Sequence, residues 1–278
     1  MFPTASALLR RCLATGVLAM VAIAAVAPGP AAAVTAAPTA AQISSAEQAE
    51  LNLLNKDRTS AGLVPVRADP RLMAIARARS TDMATKGYFS HVQPDGQNVF
   101  DILTAEGITW YNAGEIIAWN NYSADLTAAI ANSQWMGSPG HHAIIVSTDF
   151  NYVGVGLAVD PATGKKLWTA VFIKGPDRTA AVASSSKALG AWTTTSTRTA
   201  RVSWSGYDPK LQVLTAGLKS FSIQVRTDGG AWRTVSSSTT GTSWSFRAWR
   251  GHRYEVRVSP IDKAGNRGSW VSQVLDLR

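Results

Sequence analysis

Three of the chain's four histidines lie within residues 91–142, and a glutamate lies between them. His91 closes the string Gly87-Tyr88-Phe89-Ser90-His91. His141 and His142 follow Trp135-Met136-Gly137-Ser138-Pro139-Gly140. Glu115 sits within Asn112-Ala113-Gly114-Glu115-Ile116-Ile117. Neutral imidazole suits zinc, and a carboxylate either completes such a site or fixes an imidazole tautomer from behind. His91 and His141 are 50 positions apart, too far for a local motif, so the fold must bring them together. The competing reading is that they are ordinary polar loop residues.

The elements that would position them can be read from the chain. Ser44 and Glu47 fit a capping box for a first helix, which carries Ala46, Ala49, Leu53 and Leu54 and stops at Gly62. Asp69 and Pro70 open a second helix. Its face is Leu72, Ile75, Ala76, Arg79 and Met83, and Gly87 ends it. A shorter helix spans about Asn98 to Glu106, and a fourth runs from Ser123 to Trp135 or Met136. The period then shortens. Val153, Val155, Leu157 and Val159 alternate as a strand, Asp160 to Gly164 turns, and Leu167 to Lys174 returns. Gly154-Val155-Gly156 has the glycine spacing of part of a phosphate loop, but no helix start follows, so no phosphate role is assigned. These elements predict an α/β domain over residues 43–176, with Trp135, Trp168 and Phe172 in its core.

A linker is expected over residues 177–192. Beyond it Arg201–Trp204, Phe221–Val225, Trp244–Phe246 and Tyr254–Val258 alternate, with turns at Asp228-Gly229-Gly230 and Ala264 to Gly268. Short, regularly spaced strands predict an all-β sandwich over residues 193–278. Its five tryptophans, with Trp192 at its edge, are too many for one small core, so some should be exposed.

Charge divides the same way. Residues 43–176 sum to −2 and residues 177–278 to +9. A basic sandwich working outside a cell would meet anionic wall polymers, phospholipid headgroups or acidic glycans. No motif supports nucleic acid as a partner. Arg10-Arg11, the apolar run Leu13 to Val26 and Ala31-Ala32-Ala33 have the parts of a secretory signal, expected over residues 1–33 with cleavage after Ala33. A short linker, residues 34–42, follows. No later stretch is apolar enough to predict a transmembrane segment. Cys12, the one cysteine, precedes the cleavage point, so the mature protein is expected to have no disulfide. The chain therefore reads as bacterial, and secreted, extracellular or cell-wall associated.

Tyr88-Phe89-Ser90-His91, Gly114-Glu115, Trp135 to His141, Val153 to Gly156 and Leu167 to Phe172 occur in that order. Together they resemble the CAP superfamily, also called the SCP domain (cysteine-rich secretory, antigen 5 and pathogenesis-related proteins), in its bacterial form. The resemblance covers about Ala46 to Ile173. It implies an α-β-α sandwich with an antiparallel sheet. It also implies a cleft faced by two histidines and two glutamates, whose histidines can hold a divalent metal. Matched position by position, the histidines are His91 and His141 and the first glutamate is Glu115. The second glutamate would fall at Ser138, so one carboxylate is missing. His142 stands where bacterial relatives usually carry Arg, and Ile116 where many carry Asn. The second half resembles fibronectin type III or Ig-like modules, on Gly217 to Phe221, Asp228 to Trp232 and Tyr254 to Asn266.

The expected protein acts chiefly by binding. Its cleft, at His91, Glu115, Ser138 and His141, would take a lipid, peptide or glycan. His91, His141 and Glu115 would hold a divalent metal, preferably zinc. The basic sandwich would serve as an adhesion or spacer module. A metal-dependent extracellular hydrolase of wall or peptide material is the second reading, and a structural surface protein with a vestigial cleft the third. No residue is assigned as catalytic.

Overall fold

The computed structural model describes residues 38–278. The expected signal peptide, and residues 34–37 of the first linker, lie outside the described residues.

Helix α1 (Ala40–Ser60) starts four residues before the expected Ser44. Thr39 and Gln42 make the capping box instead, a second S/T-x-x-Q pattern that satisfies two orphan amides. Glu47 therefore takes no part in capping. It is buried and accepts three hydrogen bonds from Arg77, 2.6–3.0 Å long. Strand β1 (Arg67–Ala68) leads into α2 (Pro70–Lys86). Asp69 caps α2 from its side chain, and Gly87 ends it with φ 69°, the left-handed conformation that glycine adopts without strain. Helix α3 is Val99–Ala105, capped by Asn98. Strand β2 (Asn112–Asn120) was not foreseen. Helix α4 (Thr127–Met136) starts four residues after the expected Ser123, because residues 124–126 form a turn. A short helix, α5 (Pro139–Ile145), was also not foreseen. Strands β3 (Tyr152–Val159) and β4 (Lys166–Lys174) form the expected hairpin.

The first sheet has the order β1-β3-β4-β2, with β1 parallel to β3 and the other pairs antiparallel. Alternate sheet residues enter different cores. Ile116, Val155, Trp168 and Phe172 pack with Leu54 of α1 and with Ala131 and Trp135 of α4. Val171 and Ile173 pack with Leu72 and Ile75 of α2 and Leu103 of α3. The sheet is thus the middle of three layers. Gly154 and Gly156 acquire a reason here: a Cβ on either would lie 2.0–2.2 Å from the backbone of α2. The Gly-Val-Gly string is a seat for a helix.

The second half contains seven strands. Strand β5 (Val182–Trp192) occupies most of the segment expected to be linker. It pairs with β6 (Thr197–Tyr207), which pairs with β9 (Ser243–Trp249). The second sheet runs β11-β10-β7-β8, made from β7 (Leu218–Thr227), β8 (Arg233–Thr239), β10 (Arg253–Asp262) and β11 (Val271–Asp276). Val202, Trp204, Phe221, Ile223, Val256 and Val258 fill the space between the sheets. All pairings are antiparallel, giving a sandwich of three strands on four. Leu211, between β6 and β7, is buried against Leu72, Ile75 and Ile173 of the first domain's second core. No helix among the described residues is long and apolar enough to cross a membrane.

Candidate functional site

The site is organised from beneath by Arg79. It projects from the apolar face of α2 and is wholly buried. Its Nε donates to Glu115 Oε1 at 2.9 Å, and one terminal nitrogen donates to Tyr88 Oη at 2.9 Å. The other donates to the carbonyls of Ser90 and His91 at 2.9 and 3.2 Å. Burial works against the guanidinium charge, and the bond to Glu115 and its negative charge more than offset this, so Arg79 sits above the usual arginine value. Tyr88 passes its own proton toward Asp82 Oδ2 at 2.6 Å. Its hydroxyl is pushed up to about 12, chiefly by burial and that bond. One side chain thereby holds the loop that carries His91 against the strand that carries Glu115.

Glu115 lies on β2 and is 7% exposed. Its Oε2 meets His91 Nδ1 at 2.7 Å while Oε1 is held by Arg79. A carboxylate facing Nδ1 places the proton there and leaves the Nε2 lone pair free, the outer arrangement common behind metal-binding histidines. Glu115 therefore stands behind His91, with each oxygen already engaged in one hydrogen bond.

His141 comes from α5, whose start is marked by Ser138 and Pro139. The segment after α5 is fixed from below by Arg58, fully buried on α1. Arg58 donates to the carbonyls of Ile145, Ser147 and Phe150 at 2.8–3.4 Å, and burial lowers it to about 10. His141 is held below the usual histidine value, first by burial and then by the positive charge that His91 can carry. The two imidazoles are thus brought within electrostatic reach of each other. His142 lies exposed on the same helix.

The four expected cleft residues divide between two cavities. Ser138 and His141 line one of about 560 Å³, with Phe89, Trp119, Tyr122 and Trp135. His91 and Glu115 line another of about 290 Å³, with Phe100 and Ile144. No carboxylate lines the larger one. Among the described residues, the grouping of three ligand-type side chains with donor atoms within 4.8 Å of one another is Asp177, Asp208 and Asp262. His91, Glu115 and His141 do not meet that spacing. Two imidazoles, one of them backed by Glu115, do not make a closed four-ligand zinc site.

Trp135 and Trp168 are fully buried, as expected of core residues. Arg58 and Arg79 were not foreseen as organisers of the site. The signal for Arg79 was an arginine among the apolar residues of one helical face.

Residues 51–172 match the Cysteine-rich secretory protein family, CAP. The Bacillus subtilis protein YkwD, uncharacterized, is 34% identical over 139 residues, which are 50% of this chain and 50% of that one. The uncharacterized membrane protein YlbC of the same organism is 32% identical over 128 residues, 46% of this chain and 34% of its own. The chain thus spans half or less of the curated relatives it matches. A crystal structure of an extracellular SCP-domain protein from Bacillus anthracis str. Ames overlaps 49% of this chain and 44% of its own, at 27% identity and a TM-score of 0.42.

Proposed function

We propose that the CAP domain over residues 51–172 is an extracellular binding domain for an apolar ligand, with the basic sandwich as its surface-attachment module. The observation that carries this reading is the lining of the larger cavity. Four aromatic side chains, Phe89, Trp119, Tyr122 and Trp135, line it with Ile117 and Ala118, and Ser138 stands where the family resemblance implies a carboxylate. A cavity of about 560 Å³ is within the usual range for small-molecule sites. Glu115 is held by Arg79 and His91 and does not line this cavity, so no carboxylate is placed there as a general base. The order β5-β6-β9 against β8-β7-β10-β11 supports the fibronectin type III-like reading of the second module.

A fluorescent long-chain fatty acid is the probe. It should bind saturably and be displaced by unlabelled palmitate. Trp119→Ala and Tyr122→Asp, both on partly exposed walls, should each weaken it about tenfold, as expected for losing one aromatic contact. Unchanged affinity in both variants would place binding elsewhere and return the domain to a structural role. The metal is tested separately by zinc calorimetry. His91→Ala and His141→Ala should each abolish most zinc binding, and His142→Ala should leave it intact.

A further inference from the structure

The open side of the sandwich lies between two edge strands, β8 of one sheet and β9 of the other. A cavity of about 520 Å³ lies there. Three arginines line it: Arg226 from β7, Arg233 from the start of β8 and Arg247 from β9. Four aromatic rings share the rest of the wall with Val225, Thr227, Gly230 and Ala231. Trp244 and Phe246 stack at 4.5 Å between centroids, Phe246 meets Tyr254 edge-on at 5.3 Å, and Trp249 is 50% exposed. Tyr254 Oη accepts the Trp249 backbone N–H at 3.0 Å, which ties the exposed tryptophan's backbone to the rigid ring stack. No acidic side chain lines the cavity.

The three arginines are not equivalent. Arg226 is paired with Glu255 at 2.5 Å and stacked on Trp232 at 4.6 Å. Arg233 and Arg247 are exposed and, among the described residues, have no carboxylate partner. Two free guanidinium forks therefore border an exposed indole.

We infer that this groove is a binding site for an acidic polysaccharide, one bearing uronate or similar carboxylate groups on its rings. A guanidinium fork takes a carboxylate bidentately. The C–H face of a pyranose ring is flat, apolar and of indole size, so it can stack on Trp249. A concave site with two free cations suits a few rings of such a chain. A nucleic-acid strand would call for a longer basic track along its backbone. The inference rests on the reading of the sandwich as a surface-attachment module and gives that module a site and a ligand class.

The probe is a tetramer of galacturonate, titrated into the full chain by calorimetry at low salt, beside its methyl-esterified form and a single-stranded DNA of similar length. The free acid should bind and the ester should bind much more weakly. Arg233→Gln, Arg247→Gln and Trp249→Ala should each cost about tenfold in affinity or more, as losing one charged hydrogen bond or one stacked ring does. Lys56→Gln, which removes an exposed cation from the other domain, should leave tetramer binding unchanged. Equal binding of acid and ester, or wild-type affinity in all three groove variants, would overturn the assignment, and so would tighter binding of the DNA. Retention on bacterial wall fragments, measured with the same variants, separates the two levels. If wild type and groove variants are retained equally, the groove fails and the attachment reading stands. If wild type is not retained, the attachment reading fails whatever the tetramer does.

Discussion

In the first domain Arg58 and Arg79 are wholly buried, and every bond they make fixes backbone or a functional side chain. In the second, arginine lies at the surface on tryptophan: Arg226 and Arg257 over Trp232, Arg257 and Arg267 over Trp270, Arg198 and Arg250 over Trp192. The same residue type serves geometry in one place and presented charge in the other. Desolvating a guanidinium is costly and tolerable only where all its donors find acceptors. A stacked arginine keeps its water and its field, while the ring limits its motion. The first domain is near neutral, and the second holds the +9 charge of residues 177–278 and offers it outward.

The largest effect should come from the buried side of this contrast. Arg79→Met leaves the Glu115 carboxylate in the core with one partner fewer, and it frees the Ser90 and His91 carbonyls. Breaking a buried ion pair in this way costs about 3–5 kcal/mol. Chemical denaturation should record that loss. The double variant Arg79→Met, Glu115→Met should regain much of it, because no charge is then stranded. If the single variant is as stable as wild type, the network does not organise the site and the comparison between the halves collapses.

Glu50 sharpens the contrast from another side. It is a fully buried carboxyl on α1 whose two oxygens have no hydrogen-bond partner. Burial raises it well above the usual carboxylate value, and the charge of Asp57 assists. The folded state therefore holds a proton that the unfolded state releases above its ordinary glutamate value, about 4.3. Stability from this group is complete below that pH and is lost as pH rises toward the raised value. Glu50→Gln should match wild type near pH 4 and be the more stable of the two at pH 8, where the folded wild type must ionise or keep a proton that the unfolded chain releases. Thermal unfolding across that range checks this. A parallel pH dependence in variant and wild type would show that Glu50 ionises without cost.

How much of this the sequence disclosed depends on the kind of signal. Asp69-Pro70 and Gly87 delimited α2 closely, because a cap, a fixed φ and a positive φ are local requirements. Strand β5 read as linker, since Val182 to Lys187 is rich in small residues and its strand character comes from pairing with β6. Helix α5 was passed over although Ser138-Pro139 is a start signal; at 7 residues it shows no periodicity. In the site, residue type singled out His91, Glu115 and His141, and the family resemblance implied that they share a cleft. Glu115's position behind His91 depends on Arg79, and His91 and His141 line separate cavities, neither of which one-dimensional spacing encodes.

The smallest effect should come from the stacked side. Arg257 lies between Trp232, at 4.0 Å, and Trp270, at 4.5 Å, and donates to Gln224 Oε1 through two nitrogens at 2.9 and 2.6 Å. Arg257→Lys keeps the charge and removes the flat group that the two indoles hold. An ammonium can approach only one ring face well and cannot reproduce the two-nitrogen contact. An exposed cation–π contact is worth about 0.5–1 kcal/mol, so the variant should lose roughly that amount in chemical denaturation. Its net charge is unchanged, so retention on an anionic surface should fall with salt along the same curve as wild type. Arg257→Gln should lose similar stability and, in addition, bind less tightly at low salt. A stability loss in Arg257→Lys near that of Arg79→Met would mean that the stacked arginines also serve as structural clamps. An altered salt curve in Arg257→Lys would mean that their geometry, and not their charge alone, meets the partner.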